Sequence, residues 1–440
     1  MSLKRAWGAA MVALVVCSAG LAASAAAAAS ATVAWGTTTS APAGTLANLF
    51  GVAASSSSDV LAVGGYNPGE FPTAVLTRPY AEHWNGHGWT ATTVPLGSVY
   101  SGQAAQLNGV AEAAAGDGWA VGTVSDPSSL ASQTLAYHWN GSTWQRVPTP
   151  DPAGPAQGNE LAAVAARASN DVWAAGGDGG YPEASLVLHW NGSTWTQVQV
   201  PSIGALHAVT VTSANVWVAS GNKVEQFNGS AWTSLPALPG SVYIAGLAHT
   251  AAGVWAVGYS SFSCGEGGTC TVSYAALWNG SAWTTVPSGG GTVLSGVAAA
   301  GSAVLAAGGT GVWQLSTTAA TPQVTPTQNP PQLTAIGADL VGHPWAVGSA
   351  SSAPAIINAP GIGQGGILVD AGAANATITW TGPATGTGST AVNGTFATGG
   401  LPDGRYTVTT SLSGCQPGVA TAKVTAGQVT PVTAKVVCPP

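Results

Sequence analysis

Short apolar segments recur through the middle of the chain. Leu161 to Ala166 is one of them, and four residues later Asp171 to Gly176 reads Asp-Val-Trp-Ala-Ala-Gly. Relatives of this second segment bring its copies to seven, spaced by 38 to 58 residues, with starts at Asp59, Asp117, Asn215, Gly253, Ala303 and Pro344. Short apolar runs bounded by turn residues are typical of strands covered on both faces. The pattern therefore predicts repeated pairs of buried strands.

A second pattern, rich in tryptophan, follows five of these copies. His189 to Trp195 reads His-Trp-Asn-Gly-Ser-Thr-Trp, and its relatives are Trp84–Trp89, Trp139–Trp144, Phe227–Trp232 and Trp278–Trp283. Asn-Gly between two apolar segments favours a tight hairpin, because its turn needs positive φ at both central residues. Each full unit is thus predicted to hold four short antiparallel strands.

Four-stranded units repeated at this spacing are typical of a β-propeller. In strand order and in the aromatic hairpins, residues 32–362 resemble kelch-like and galactose-oxidase-like propellers, a resemblance that implies an all-β fold with seven blades. The seventh unit lacks an outer strand. We expect an N-terminal strand within residues 32–41 to pair with this last unit and close the ring.

The pattern changes after a Gly- and Pro-rich hinge at residues 360–366. Residues 367–440 read as short alternating strands, with the last one expected at Ala434 to Val437. The run from Leu401 to Val408, Leu-Pro-Asp-Gly-Arg-Tyr-Thr-Val, resembles the carboxypeptidase regulatory-like (transthyretin-like) β-sandwich. That resemblance implies a small structural or adhesive appendage of an exported protein.

The first 30 residues have the order of a secretory signal peptide. Lys4 and Arg5 precede an apolar stretch, and small residues follow it. We expect cleavage and secretion, with no membrane span left in the mature chain. An uncleaved N-terminal anchor is the alternative.

Four cysteines follow this segment, an even number that favours disulfides in an exported chain. The simplest pairing is local, Cys264 with Cys270 and Cys415 with Cys438. Metal binding is the alternative, but the cysteines lack zinc-site spacing and no histidine lies near either pair in the sequence.

Charged residues make up only 6% of the chain, and 16 acidic residues outnumber 9 basic ones. The scattered lysines and arginines cannot form a positive surface for a nucleic-acid backbone, so we expect no nucleic-acid partner. His83, His138 and His189 occupy equivalent positions before the hairpin tryptophan and are interpreted as structural. We expect neither a metal site nor a cofactor, and we interpret the repeated tryptophans as packing between units.

The connections between strands suggest where function resides. Turns from first to second and from third to fourth strand share one face of the ring, here named the hairpin face, and they are short and uniform. The remaining connections form the opposite face, here named the variable face, and differ widely in length, which is typical of a binding surface. Its candidate ligand-binding residues are Tyr66, Glu70, Phe71, Arg78, Tyr80, Tyr100, Asp178, Tyr181, Glu183, Tyr259, Phe262 and Glu266.

Aromatic rings and acids together suit sugars, because rings stack on pyranoses and carboxylates accept their hydroxyls. We therefore expect a secreted, non-catalytic binding or adhesion protein that meets an extracellular glycan or protein ligand. Two alternatives are a carbohydrate-active enzyme, either a hydrolase or a lyase, that uses loop carboxylates, and a purely structural envelope component.

Overall fold

All regular elements that the structure describes are β-strands, so the all-β prediction is confirmed. The structure, a computed structural model, describes residues 36–38, 46–67, 77–86, 88–97, 103–126, 131–154, 157–179, 184–264, 268–289, 293–301, 303–323, 331–339, 342–350, 353–358, 364–390, 395–402, 404–424 and 429–439. The predicted signal peptide, residues 1–30, lies outside them. Across these ranges, no helix has the length and apolarity needed to cross a bilayer.

Up to residue 358, the described strands form seven antiparallel units of four strands, of which the second and third are joined into one eight-stranded sheet by a single parallel pair, Gly158 opposite Ser132. The first strands in chain order are β1 (Gly36–Thr38), then in the first unit β2 (Leu46–Ser56), β3 (Asp59–Asn67), β4 (Arg78–Trp84) and β5 (Trp89–Thr92), in the second β6 (Ala104–Ala114), β7 (Asp117–Ser125), β8 (Ser132–Trp139) and β9 (Trp144–Arg146), and in the third β10 (Gly158–Ala168), β11 (Asp171–Gly179), β12 (Ser185–Trp190) and β13 (Trp195–Gln197).

The next three units and the seventh repeat this arrangement. Their strands are β14 (Ala208–Val211), β15 (Val216–Ser220), β16 (Lys223–Phe227) and β17 (Trp232–Ser234), then β18 (Val242–Thr250), β19 (Gly253–Ser263), β20 (Thr269–Trp278) and β21 (Trp283–Val286), then β22 (Gly296–Ala300), β23 (Ala303–Gly308), β24 (Gly311–Leu315) and β25 (Ala320–Pro322), and finally β26 (Gln332–Ala338), β27 (Pro344–Ala350) and β28 (Ala353–Asn358).

The seven units are arranged as a β-propeller. The first strand of each unit contacts the first strand of the next, from β2 through β6, β10, β14, β18 and β22 to β26, and β26 contacts β2. The contacts therefore form a closed circuit with the first strands innermost. β1 completes the seventh sheet by pairing antiparallel with β28, with Thr37 opposite Ile357.

Small residues allow the inner strands to approach one another. A Cβ added to Gly51 would lie 3.0 Å from the Cα of Gly109 in the second unit, and one added to Gly246 would lie 3.2 Å from the Cα of Gly296. Because these distances are shorter than ordinary van der Waals contact, a larger residue would push neighbouring units apart. The apolar first-strand segments thus keep a small residue where the units crowd around the axis.

Tryptophans fill the space between neighbouring units. Trp119 of the second unit packs against Trp190 and Trp195 of the third, with ring centroids 4.7 and 5.1 Å apart. Trp345 of the seventh unit lies 5.5 Å from Trp84 and 5.6 Å from Trp89 of the first. Aromatic pairs at this separation add stability beyond their buried area. The interpretation of the repeated tryptophans as packing residues is confirmed at these positions.

The C-terminal part folds as two packed sheets. Its strands are β29 (Gln364–Asp370), β30 (Thr377–Thr381), β31 (Gly386–Ser389), β32 (Thr395–Pro402), β33 (Gly404–Ser411), β34 (Gly418–Val424) and β35 (Val429–Thr433). One sheet has the order β32-β29-β35 and the other β31-β30-β33-β34. Ile367 and Val369 of the first share a buried core with Ile378 and Tyr406 of the second, which makes this part a β-sandwich.

The last strand differs from the prediction. It spans Val429–Thr433 and pairs in parallel with β29, whereas the prediction over Ala434 to Val437 is wrong because only Val437 there makes a β-bridge. This strand contains Pro431, and a proline in the sequence argues against a strand because it cannot donate a backbone hydrogen bond. Proline is tolerated at a sheet edge, which is where β35 lies. Both predicted cysteine pairs lie at disulfide distance, with Cα atoms 5.7 Å apart for Cys264 and Cys270 and 4.1 Å apart for Cys415 and Cys438.

Candidate functional site

The described residues place six of the predicted ligand-binding residues, and the others lie outside them. Those outside are Glu70, Phe71, Tyr100, Tyr181, Glu183 and Glu266. Tyr66, Arg78, Asp178, Tyr259 and Phe262 are partly or fully exposed, whereas Tyr80 is only 6% exposed.

Tyr80 is a packing residue of the first unit and does not form part of the surface. Its hydroxyl donates to Oε1 of the buried Glu82 at 2.6 Å, and burial raises the pKa of this phenol further above its ordinary value. The ring of Tyr66 rests against it edge-on, with centroids 5.9 Å apart. The expectation of an exposed Tyr80 is wrong because Tyr80 lies inside β4, where the four consecutive residues 79–82 are all buried and both faces of the strand are therefore covered.

Arg78 and Asp178 brace the connections of the variable face. Nη1 of Arg78 donates to the carbonyl of Gln103 at 2.7 Å, which ties the first unit to the entry of the second. Oδ1 of Asp178 accepts from the amide of Ala184 at 3.2 Å across the connection between β11 and β12. Both side chains thus hold loop ends in place.

A small pocket opens on the variable face between the first and second units. Its volume is about 330 Å³, and it is lined by Asn48, Phe50, Gly65, Tyr66, Asn67, Thr77 and Gln106. This volume is at the lower end of the range of about 300–1,000 Å³ that small-molecule sites occupy. We name it the amide pocket, because three of the seven described residues that line it carry side-chain amides.

Strand pairing shows which side chains face this pocket. Asn48 lies opposite Gly65, and a Cβ added to Gly65 would meet Thr77 and Gln106. Asn48, Gly65 and the next alternate residue, Asn67, therefore face the second unit. Tyr66 points the other way, toward the apolar cluster that contains Trp345. Its ring is accordingly not the surface on which a ligand in this pocket would stack.

On the same face, at the fourth and fifth units, three aromatic side chains form a stack, here named the aromatic stack. Tyr243 lies against Tyr259 with centroids 5.1 Å apart and planes at 20°, and against His207 at 4.8 Å and 37°. All three side chains are half-buried. Burial lowers the pKa of His207, so its imidazole is neutral at pH 7 and the stack carries no charge.

Phe262 extends beyond the aromatic stack on the long hairpin of the fifth unit. It is 49% exposed and lies opposite Cys270 in the ladder between β19 and β20. Val272 is 40% exposed on the same hairpin. The Cys264–Cys270 disulfide closes the end of this hairpin.

Polar side chains on the hairpin face are hydrogen-bonded to one another. Nε2 of His83 lies 2.7 Å from Oδ1 of Asp59. The same pairing joins His138 to Asp117 at 2.7 Å and His189 to Asp171 at 3.0 Å. The repeated histidines are thus held by the repeated aspartates.

One of these aspartates carries a perturbed pKa. Burial raises the pKa of Asp171, but the hydrogen bonds from Trp173 and Arg167 lower it, and the bond from His189 lowers it further. The net pKa lies below the ordinary value, so this carboxylate is ionised at neutral pH. It also binds Arg167, whose guanidinium donates to the carbonyls of Thr212 and Asn215 in the next unit.

The Asn-Gly turns of the hairpin face are likewise closed on themselves. Oδ1 of Asn140 accepts from the amides of Ser142 and Thr143 at 3.1 and 2.9 Å. Gly141 has a φ of 88°, but Asn140 does not have a positive φ, and Trp139 pairs with Trp144 across a four-residue loop. The hairpin is therefore confirmed, whereas the predicted turn with positive φ at both central residues is wrong. In the described part of the chain, no group of three or more His, Cys, Asp or Glu side chains is placed to hold a metal ion.

Sequence reasoning missed the residues that form the amide pocket and most of the aromatic stack. Asn48, Phe50, Asn67, Thr77, Gln106, His207 and Tyr243 were not among the candidates. One signal was present: a polar residue directly precedes the first-strand leucine in four units, namely Asn48, Gln106, Glu160 and Gln332. This repeated position lies where the first strand enters the variable face.

Comparisons with known proteins return structural likeness only. No family model matches the chain, and no curated protein matches it. Among solved structures, 310 chains match. One is described as YCF48 bound to D1 peptide, with 14% identity, a TM-score of 0.45, and coverage of 74% of this chain and 96% of that chain. Another is U3-55K, with 11% identity, a TM-score of 0.49, and coverage of 74% and 98%.

Proposed function

We propose that this chain is an exported, non-catalytic binding protein that presents the variable face of its propeller to an extracellular glycan. The observation that carries the proposal is the contrast between the two faces. The hairpin face consumes its polar side chains in internal hydrogen bonds, whereas the variable face holds the amide pocket and the aromatic stack. Amides and aromatic rings are side chains that bind sugar hydroxyls and pyranose faces.

Several features support export and an adhesive role. The N-terminal segment has the order of a signal peptide, and disulfides persist chiefly in oxidising compartments. We extend the proposal to the kelch-like character of the propeller and to a carboxypeptidase regulatory-like identity for the C-terminal sandwich. The carbohydrate-active alternative depends on loop carboxylates such as Glu70, Glu183 and Glu266, which lie outside the described residues.

A glycan array probed with the full chain tests this proposal. We expect binding to at least one glycan, and we expect the signal to fall by about tenfold in Tyr243→Ala or Tyr259→Ala, because either change removes a ring of the stack. Gln197→Ala is the matched control, since Gln197 is exposed on the outer strand of the third unit. Circular dichroism of each variant verifies that the fold is retained.

Three outcomes would contradict the proposal. One is the absence of signal on every glycan, and another is a signal that Gln197→Ala lowers as much as the tyrosine variants do. The third is capture of an extracellular protein, but of no glycan, through the same tyrosines, which would replace the glycan by a protein ligand.

A further inference from the structure

The amide pocket has the chemistry of a site for an uncharged, hydroxyl-rich ring. Asn48, Asn67, Thr77 and Gln106 line it with neutral polar side chains, and Phe50 supplies one aromatic ring. Among the described residues that line it, there is no lysine, arginine, aspartate or glutamate. An amide both donates and accepts, so one asparagine or glutamine can bond two neighbouring hydroxyls of a sugar.

The walls of this pocket are fixed before a ligand arrives. The amide of Ala105 donates to the carbonyl of Thr77 at 2.9 Å, which fastens the wall of the first unit to β6. Nε2 of Gln106 donates to Oδ1 of Asn108 at 2.8 Å, and Nδ2 of Asn108 donates to the carbonyl of Leu161 at 2.9 Å. This chain of bonds orients the side chain of Gln106 and leaves its Oε1 to accept from a ligand. Pre-ordered groups bind more tightly because less freedom is lost on binding.

The size of the pocket limits what it can hold. Gly65 forms part of it without a side chain, and an added Cβ would come within 2.8 Å of Thr77 Cγ2 and 3.2 Å of Gln106 Cβ. The two units are therefore nearly in contact on that side, and the cavity cannot continue between them. A single ring fits an open pocket of this small volume better than an extended peptide does.

We infer that the amide pocket binds one neutral monosaccharide unit, free or as part of a glycan, through the side chains of Asn48 and Gln106. This inference rests on the proposed glycan-binding function and adds to it a location and a sugar class. Because none of the described lining residues is charged, a carboxylate or ammonium group on the sugar would lose its hydration without compensation from them. We therefore expect uronic acids and amino sugars with a free ammonium group to bind weakly, and neutral hexoses and pentoses to bind.

Isothermal titration calorimetry on the full chain tests this inference with free sugars. The neutral probes are glucose, galactose, mannose and xylose, and the charged ones are glucuronate, galacturonate and glucosamine. We expect at least one neutral sugar to bind and its charged counterpart to bind at least about tenfold more weakly. Asn48→Ala and Gln106→Ala should each weaken binding by about tenfold, the effect of losing one good hydrogen bond.

Gln332→Ala is the matched control, because Gln332 is an exposed amide at the same repeat position in the seventh unit and does not line the pocket. It should leave the affinity unchanged. Asn48 is exposed, so its removal does not disturb the core, and the melting temperature of each variant verifies this. The inference is overturned if no neutral sugar binds, if both pocket variants bind as tightly as the wild type, or if a charged sugar binds equally well.

The same variants on the glycan array separate this inference from the proposed function. A glycan signal that survives Asn48→Ala and Gln106→Ala but is lost in Tyr243→Ala refutes the pocket and leaves glycan binding intact. The absence of any signal with the wild-type chain refutes both.

Discussion

Each of three repeated histidines is hydrogen-bonded to the aspartate that begins a neighbouring strand of its own unit. In the first unit, Asp59 binds His83 through one carboxylate oxygen and the amide of Gly116 through the other, at 2.7 Å each. Because Gly116 belongs to the second unit, this carboxylate also links two units. The equivalent positions of the histidines predicted a structural role, but the partner depends on strand register, which the repeat alone does not specify.

Glu112 lies close to this group and carries the most strongly perturbed carboxyl pKa in the described ranges. Burial raises the pKa of Glu112 to about 8, and the charge of Asp59 adds to the rise. Between pH 4.5 and about 8, the folded chain thus binds a proton that the unfolded chain has released. This contribution to stability is complete below pH 4.5 and is lost as the pH rises through 8.

The first prediction concerns Glu112→Gln, which keeps the shape but cannot ionise. The free energy of unfolding of the variant should exceed that of the wild type at pH 9 by on the order of 3 kcal/mol, with the difference vanishing near pH 4.5. Urea titrations across this pH range measure the difference. A constant difference between the two proteins from pH 4.5 to 9 would show that Glu112 does not titrate as described.

Some residues of the candidate site could be placed on the variable face from the sequence, and others could not. Tyr259 belongs to a long connection with several aromatic residues, and its place on the variable face was predictable from strand order. Asn48 and Gln106 stand 58 residues apart, and only the contact between β2 and β6 brings them to one pocket. Local patterns describe each unit well, whereas a site between units depends on how the units pack.

At the scale of strands, the Asn-Gly hairpins follow directly from local chemistry. The asparagine side chain closes the turn and the glycine takes a positive φ, so the position of the hairpin was predictable from local sequence. Its loop has four residues and positive φ only at the glycine, so the turn type was not predicted. β35 shows the opposite case. Its proline argues against a strand in the local sequence. The strand forms because it pairs in parallel with β29, which is far away in the chain.

β1 is a three-residue strand whose pairing joins the N-terminal part of the propeller to its last unit. Gly36, Thr37 and Thr38 lie opposite Asn358, Ile357 and Ile356. Without β1, the edge of β28 would be unpaired and its apolar side chains less covered. The pairing therefore resists opening of the ring between the first and seventh units.

The second prediction is that deletion of residues 32–42 lowers the melting temperature by several degrees. A loss of about 1 kcal/mol lowers it by roughly 2–4 °C in domains of 150–250 residues. Differential scanning calorimetry measures the shift, and deletion of residues 2–31 is the control. Equal melting temperatures for the two deletions would contradict a closing role for β1.

At the scale of the whole propeller, the two faces differ in the roles of their side chains. The hairpin face repeats the same turns and the same histidine–aspartate hydrogen bonds and so maintains the scaffold. The variable face carries connections of different length and, within its described residues, the amide pocket and the aromatic stack. A fold built from equivalent units can vary one face freely because the other preserves its geometry.

Hydrogen–deuterium exchange of the full chain, with and without the glycan that gives the strongest array signal, tests this division most directly. We expect slower exchange on binding at residues 46–50, 104–108, 205–208 and 242–246, where the first strands begin at the variable face. We expect no change at residues 139–144, 190–195 and 227–232 in the hairpins. Protection confined to the hairpins, or spread equally over both faces, would contradict the assignment of the variable face as the binding surface.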